Sequence, residues 1–184
     1  MTEISLNVLD IAQNCISANA TLVEIELSVD TAIDALEIVI SDNGHGMTPE
    51  QLKRVEDPFY TSRTTRKVGL GVPLFKMSAQ MTGGSFSIDS ENNKGTRVRA
   101  SFGISHIDRM PLGDINSTIH ALVTLNPDID FVYCYKVNGK EFTLDTRKFR
   151  EILQGVPLNS VEVSSYIREF LEENKQEVDK GLEI

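Results

Sequence analysis

Asp42, Gly44, Gly46 and Met47 follow directly on the apolar run ALEIVI, within the stretch SDNGHGMTPEQ at residues 41–51. A carboxylate at a strand end can accept a hydrogen bond from the exocyclic amine of adenine. Glycines two apart let the backbone approach a flat ring closely. Farther along, VGLGVP places Gly69, Leu70 and Gly71 just before a helix that begins near Pro73. Exposed N–H groups at a helix start favour an anion, typically phosphate. Asp10 and Asn14 lie one helical turn apart near the N-terminus. The Asn14 oxygen is a hard donor of the kind Mg²⁺ prefers, and Asp10 can orient or deprotonate an attacking water. Between these groups, Arg63, Arg66 and Lys67 are candidate phosphate contacts by charge and location, and each also reads as a solvated surface cation. Taken singly, DNGHG also reads as an ordinary turn, GLG as a helix start without a ligand, and the polar stripe as a solvent face.

The elements that must position these residues read clearly. Residues 3–18 carry Ile4, Val8, Ile11, Cys15 and Ala18 on one helical face, and Glu3, Asn7, Asp10, Asn14 and Ser17 as a wholly polar second stripe. TLVEIELSVD and ALEIVISD form an antiparallel hairpin across TAID. TPEQLKRV is a short helix capped by Thr48, with Pro49 first and Gln51 completing a capping box. Residues 56–69 read as a loop. VPLFKMSAQM restarts a helix with Leu74, Met77 and Met81 on one side, and SFSIDS and GTRVRASFGI pair as strands across ENNK. Beyond about residue 105, PLGDINSTIHALVTL reads as a helix and IDFVYCYKVNGKEFTLDT as a strand pair around Asn138-Gly139. A last helix runs over roughly 160–177, with Val161, Ile167, Phe170 and Leu171 as packing residues and an acidic, solvated remainder.

The motif order is more telling than any one motif. D-x-x-x-N on a first helix, D-x-G-x-G-M after a strand, G-x-G before a helix and KGT before a last strand resemble the GHKL superfamily, over about residues 4–103. That superfamily comprises the ATP-binding domains of gyrase-type topoisomerases, heat-shock chaperones, histidine kinases and mismatch-repair proteins. The resemblance implies an α+β fold: a two-layer sandwich with a mixed, largely antiparallel sheet and helices on one face, followed by a small α+β extension. The expected division is 1–105 for the ATP-binding domain and 106–184 for the extension. By motif, LDIAQNCISANA resembles the N box, which makes Asn14 the magnesium ligand. DNGHGM resembles the G1 box, with Asp42 on the adenine amine and Gly44, Gly46 and Met47 lining the base. DPFYTS resembles the F-box region leading into a lid, GLGVPL resembles the G2 box, with Gly69 and Gly71 at the phosphates, and KGTRV places Thr96 beside Asp42. ATP-hydrolysing members usually carry Glu where this chain has Asp10. Asp is shorter by one C–C bond, about 1.5 Å, and near-attack geometry tolerates little misplacement.

Composition narrows the classes. A chain of 184 residues with 40% apolar content supports a packed core, and a net charge of −9 argues against a nucleic-acid partner. No apolar run suits a membrane helix and MTEISLNVLD lacks a leader pattern, so a cytoplasmic protein with no membrane partner is expected. Cys15 and Cys134 read as free buried thiols. No G-x-x-x-x-G-K-[ST] or G-x-G-x-x-G occurs. Histidine kinases need a helical hairpin with an acceptor histidine, and the chain has no room for one before residue 4. His106 and His120 lie in no phosphoacceptor motif, His120 reads as a packed or boundary residue, and His45 reads as a loop residue at the pocket rim. The leading expectation is a stand-alone Mg-ATP-binding domain that phosphorylates a partner protein or regulates it in an ATP-dependent way. The alternatives are a slow ATPase that forms a nucleotide-driven homodimer, as in mismatch repair (ISANATLVEIEL resembles that branch), and a nucleotide-sensing module without catalysis.

Overall fold

The computed structural model describes residues 3–55 and 70–184. The chain runs α1 (Ile4–Ser17), β1 (Leu22–Asp30), β2 (Ala35–Asp42), α2 (Pro49–Arg54), α3 (Gly71–Met81), β3 (Phe86–Glu91), β4 (Gly95–Gly103), α4 (Ile115–Leu125), β5 (Asp130–Val137), β6 (Lys140–Asp145), α5 (Thr146–Leu153) and α6 (Val161–Asp179). Six strands form one sheet in the order β3-β4-β2-β1-β5-β6. Every pairing is antiparallel except β1 with β5.

Alternation decides which face is covered. Val23, Ile25, Leu27 and Val29 of β1 are buried, while the alternate residues Glu24, Glu26 and Asp30 are exposed. β4 repeats the pattern, with Val98, Ala100 and Phe102 buried and Arg97 and Arg99 exposed. Helices α1, α3, α4 and α6 pack side by side, each on its neighbour in the order α3-α1-α4-α6. Their apolar sides and the inward strand residues make one continuous core that runs from Ile4 to Val178. The fold is thus α+β, a mixed and largely antiparallel sheet with a helical layer on one face.

The turns follow their residues. Asn138 and Gly139 both have positive φ, as a two-residue hairpin turn requires. The Asn138 side-chain oxygen also accepts from the Thr31 N–H at 2.9 Å, tying this turn to the one after β1. Thr48 accepts from the Gln51 N–H and Gln51 accepts from the Thr48 N–H, so the expected capping box forms.

Two expectations need correction, and two findings add to the reading. The polar stripe of α1 is not wholly a solvent face, because Asn7 is fully buried at 0% exposure. Met77 and Met81 lie on the outer side of α3, 51% and 54% exposed, while Val72, Phe75 and Ala79 make its packing face. Val161 is 78% exposed rather than a packing residue, since it opens α6 beyond the reach of the core. An unexpected helix, α5, follows β6 without a break. Asp145 caps it by accepting from the Arg147 N–H at 3.0 Å, and the Arg147 guanidinium grips the same carboxylate. The expected 56–69 loop lies outside the described residues.

Two predictions follow from this packing. Gly95 opens β4 with φ +110°, and a Cβ there would stand 1.9 Å from the Asp42 carbonyl oxygen, whereas Gly83 has φ +72° with nothing within 4 Å. Gly95→Ala should lower stability on the order of 3 kcal/mol, against about 1 kcal/mol for Gly83→Ala, both measured by urea denaturation. Equal losses would contradict the packing. At α5, Arg147 holds the Asp145 carboxyl below its ordinary range, chiefly through its side-chain hydrogen bonds. A depressed folded-state pKa contributes stability above the unfolded value and loses it as pH falls. Asp145→Ala should therefore cost about 1–2 kcal/mol at neutral pH, and the gap to wild type should narrow below about pH 4. A gap independent of pH would show the ion pair to be inert.

Candidate functional site

The antiparallel register of β2 and β4 sets Asp42 directly opposite Thr96 at the end of both strands. The Asp42 carboxylate accepts from the Gly44 N–H at 2.7 Å, which folds the chain back at once. This turn leaves no space for side chains. A Cβ on Gly44 would meet the Ala18 carbonyl oxygen at 2.6 Å, and one on Gly46, which has φ +62°, would meet the Glu91 carbonyl oxygen at 2.1 Å. The His45 N–H donates to the Ala18 carbonyl at 2.9 Å, so the loop is fastened to the end of α1. Asn43 serves structure: its side-chain oxygen accepts from the Thr21 and Leu22 N–H groups, both at 2.9 Å, and holds the start of β1.

A hydroxyl relay braces the same corner. The Met47 N–H donates to Ser90 Oγ at 2.9 Å, Ser90 Oγ donates to the Gly95 carbonyl at 3.0 Å, and Ser90 Oγ lies 2.9 Å from Thr96 Oγ1. Ser90 was not singled out from sequence. Its signal is cross-strand: β3 and β4 pair Ser90 with Thr96 across the ENNK turn.

Cys15 also belongs to this corner, as a free buried thiol on the core face of α1. Its S–H donates to the Ile11 carbonyl at 3.3 Å. Burial first, and the neighbouring Asp42 carboxylate second, push the thiol well above its ordinary range. Sequence reading found the burial but not the contact, which joins positions 27 residues apart.

The second cluster lies along α1. Asp10 packs on the first residue of α3: a Cβ added to Gly71 would lie 3.3 Å from Asp10 Cβ and 3.4 Å from Asp10 Oδ2. Asn14 stands one turn on, partly buried, between Asp10 and the Ala18 contact with Gly44. From Asp10 to Ala18 the helix rises about 12 Å. One rigid helix thus links the Asp42–Thr96 corner to the N-terminus of α3. Leu70, just before α3, is exposed. Arg63, Arg66, Lys67 and Gly69 lie outside the described residues.

The rings of His45 and His120 bond to groups other than Asp42 and Asp10. His45 Nδ1 is 2.7 Å from the Gly46 carbonyl oxygen, so that nitrogen carries the proton and donates. His120 Nε2 lies 2.9 Å from Ser164 Oγ, between α4 and α6. Among the described residues, no group of three or more His, Cys, Asp or Glu is arranged to hold a metal ion. Among them also, no helix is long and apolar enough to cross a membrane.

Comparison with known proteins agrees with this geometry. A family model described as histidine kinase-, DNA gyrase B-, and HSP90-like ATPase matches residues 1–105. The chain is 31% identical over 98 residues to sporulation kinase D of Bacillus subtilis, which covers 53% of this chain and 19% of that protein. It is 40% identical over 78 residues to sensor protein SrrB of Staphylococcus aureus, covering 40% of this chain and 13% of that protein. The chain therefore spans less than a fifth of the length of these curated relatives. Among solved structures, the fold is similar to the N-terminal domain of a DNA repair protein, with TM-score 0.57 and 20% identity over 79% of this chain and 53% of that one. It is also similar to the MutL ATPase domain of Aquifex aeolicus complexed with ADP, with TM-score 0.53 and 17% identity over 84% of this chain and 70% of that one. The match covers more than half of the chain and includes both clusters, and the protein belongs to the histidine kinase-, DNA gyrase B- and HSP90-like ATPase family.

Proposed function

We propose that this chain binds Mg-ATP between α1, the Asp42–Thr96 corner and the start of α3, hydrolyses it slowly, and uses the nucleotide state to regulate a partner protein. The observation that carries this reading is the double attachment of α1, with Ala18 against Gly44 and Asp10 against Gly71. Asp42 accepts the adenine amine with the carboxylate oxygen that Gly44 leaves free. Gly44, Gly46 and Met47 line the base, and Thr96 stands beside Asp42 at the end of β4. The N-terminus of α3 at Gly71 faces the phosphates, with Gly69, Leu70, Arg63 and Lys67 as the adjoining contacts assigned from sequence. ADP in the MutL neighbour supports a nucleotide in this fold.

The donor set suits magnesium. Asn14 offers a carboxamide oxygen one turn from Asp10, and Mg²⁺ characteristically takes one or two protein oxygens, keeps waters and draws its remaining ligands from phosphates. When bound, the ion neutralises charge on the phosphates. Asp10 takes the proton of a water whose oxygen bonds to the γ-phosphorus. The bond from that phosphorus to its bridging oxygen breaks, and ADP leaves with that oxygen. Asp10, rather than a histidine, is the base at this end of the site, which favours hydrolysis in the isolated chain.

A second reading, phosphoryl transfer to a partner protein, is favoured by the curated relatives, one of which is a sporulation kinase. Both readings place the protein in the cytoplasm, and a nucleotide-driven homodimer is the form the first would take if the partner is a second copy.

Calorimetry with ATP and ADP in Mg²⁺, followed by product analysis, tests the proposal. Wild type should bind both and release ADP steadily. Asp42→Asn should weaken binding by about tenfold to a hundredfold, the scale of one hydrogen bond to a charged group. Asp10→Asn should keep affinity and lose turnover. Unchanged affinity in Asp42→Asn would sink the assignment of the base pocket, and binding without turnover in wild type would move the case to phosphoryl transfer.

A further inference from the structure

Ser90 stands near the end of β3, and three groups meet its hydroxyl: the Met47 N–H at 2.9 Å, the Gly95 carbonyl at 3.0 Å and Thr96 Oγ1 at 2.9 Å. A serine hydroxyl has one hydrogen to give and two lone pairs to receive with. The Met47 N–H can only donate, so it takes one lone pair. The Gly95 carbonyl can only accept, and the Ser90 hydrogen goes to it. The second lone pair then receives the hydrogen of Thr96, whose hydroxyl has no other hydrogen-bond partner among the described residues. Every hydrogen of the cluster is used in this arrangement. The reverse one, with Ser90 donating to Thr96, leaves the Gly95 carbonyl without this bond and the Thr96 hydrogen without an acceptor, which is costly at a part-buried site.

Thr96 gives its hydrogen to Ser90 and therefore turns lone pairs toward its cross-strand partner Asp42. Residues directly opposite on two antiparallel strands carry their side chains on the same face, with Cβ atoms about 5 Å apart. Asp42 accepts from the Gly44 N–H with one oxygen and keeps the other for the base. The pair thus offers two acceptors side by side. We propose that Ser90 is a specificity-determining residue of the site: by holding the Thr96 hydroxyl as an acceptor, it makes the corner take an exocyclic amine and reject a carbonyl oxygen. Adenine brings an amine with two N–H bonds, one for each acceptor. Hypoxanthine brings a carbonyl oxygen at the same place, which meets two acceptors with nothing to give them. Asp42 alone separates the two bases less sharply, because the ring N–H beside the hypoxanthine carbonyl can also bond a carboxylate. This inference rests on the nucleotide reading of the Asp42 corner, and its test separates the two.

Calorimetry with ATP and with inosine triphosphate, both in Mg²⁺, reads the ratio of the two affinities. Wild type should bind inosine triphosphate about a hundredfold more weakly than ATP, or weaker still. Ser90→Ala frees the Thr96 hydroxyl to turn and donate to the hypoxanthine carbonyl. The ratio should then fall about tenfold, the scale of one hydrogen bond. A purely structural role for Ser90, through its hold on Met47, would weaken both nucleotides alike, so an unchanged ratio overturns the inference. Thr96→Val keeps the shape, removes the second acceptor and should lower the ratio to the same extent. An unchanged ratio there overturns the inference even if Ser90→Ala fails to fold. In a Thr96→Val background, Ser90→Ala should leave the ratio where it is, since no hydroxyl remains to be oriented, and a further fall would also overturn it. A wild type that binds both nucleotides equally would refute the inference and leave the nucleotide reading standing. A wild type that binds neither would refute both.

Discussion

The close approach of two backbones, Gly95 to Asp42, is the constraint on which the rest of the site depends. Strand β4 enters the sheet with no side chain at its first position, because the Asp42 carbonyl occupies the space a Cβ would need. That contact fixes the last rung of the β2–β4 ladder at Asp42 and Thr96. A slip of β4 by one residue would turn Thr96 to the other face of the sheet, away from Asp42. With the rung fixed, the carboxylate, the hydroxyl of Thr96 and the hydroxyl of Ser90 share one corner, and the chain must leave it through two further glycines packed on carbonyl groups.

Helix α1 carries that corner's geometry to the far side of the site. Its core face is apolar from Ile4 to Cys15, and burial there holds the helix against the sheet. Its flank carries Asn7, Asp10 and Asn14 in successive turns. The same helix thus contributes a buried carboxamide, a carboxylate at the start of α3 and a second carboxamide, and ends with Ala18 under Gly44. The helix therefore meets both ends of the site, with Asp10 at Gly71 on one side and Cys15 and Ala18 beside Asp42 and Gly44 on the other.

Much of this was legible in the sequence because it is written in local signals. Alternation marked the strands, Thr48, Pro49 and Gln51 marked α2, and Asn138-Gly139 marked the last hairpin. The glycines around Asp42 stood out because only close approach or positive φ explains several of them together. What sequence hid was tertiary. Asn7 belongs to a polar stripe by spacing, and nothing local shows that it is fully buried. Ser90 is unremarkable in SFSIDS until the register sets it against Thr96. Cys15 reads as a core residue, since nothing local shows that Asp42 comes to lie beside it. Helix α5 was missed because its start is a strand end: Asp145 closes β6 and caps the helix in the same residue. On α3, the two methionines share a side as their spacing indicates, and only the structure shows it to be the outer one, because Phe75 and Ala79 already make the packing face.

The residues beyond 105 enter the site's architecture through hydrogen bonds as much as through packing. Helix α1 has no side-chain cap at Glu3, yet the first N–H groups of a helix need acceptors. The Ile4 and Ser5 N–H groups find them in the carbonyls of Pro111 and Leu112, at 3.0 and 2.9 Å. Gly113, with φ +74°, lets Glu3 lie where its Cβ would stand. Helix α4 then packs along α1, and β5 adds to β1 in parallel, on the edge opposite β2. A parallel strand buried on one face needs exactly such a helical cover, here shared between α4 and α6. The segment after residue 105 therefore closes the N-terminus of the helix that carries Asn7, Asp10 and Asn14, and continues the sheet that carries Asp42.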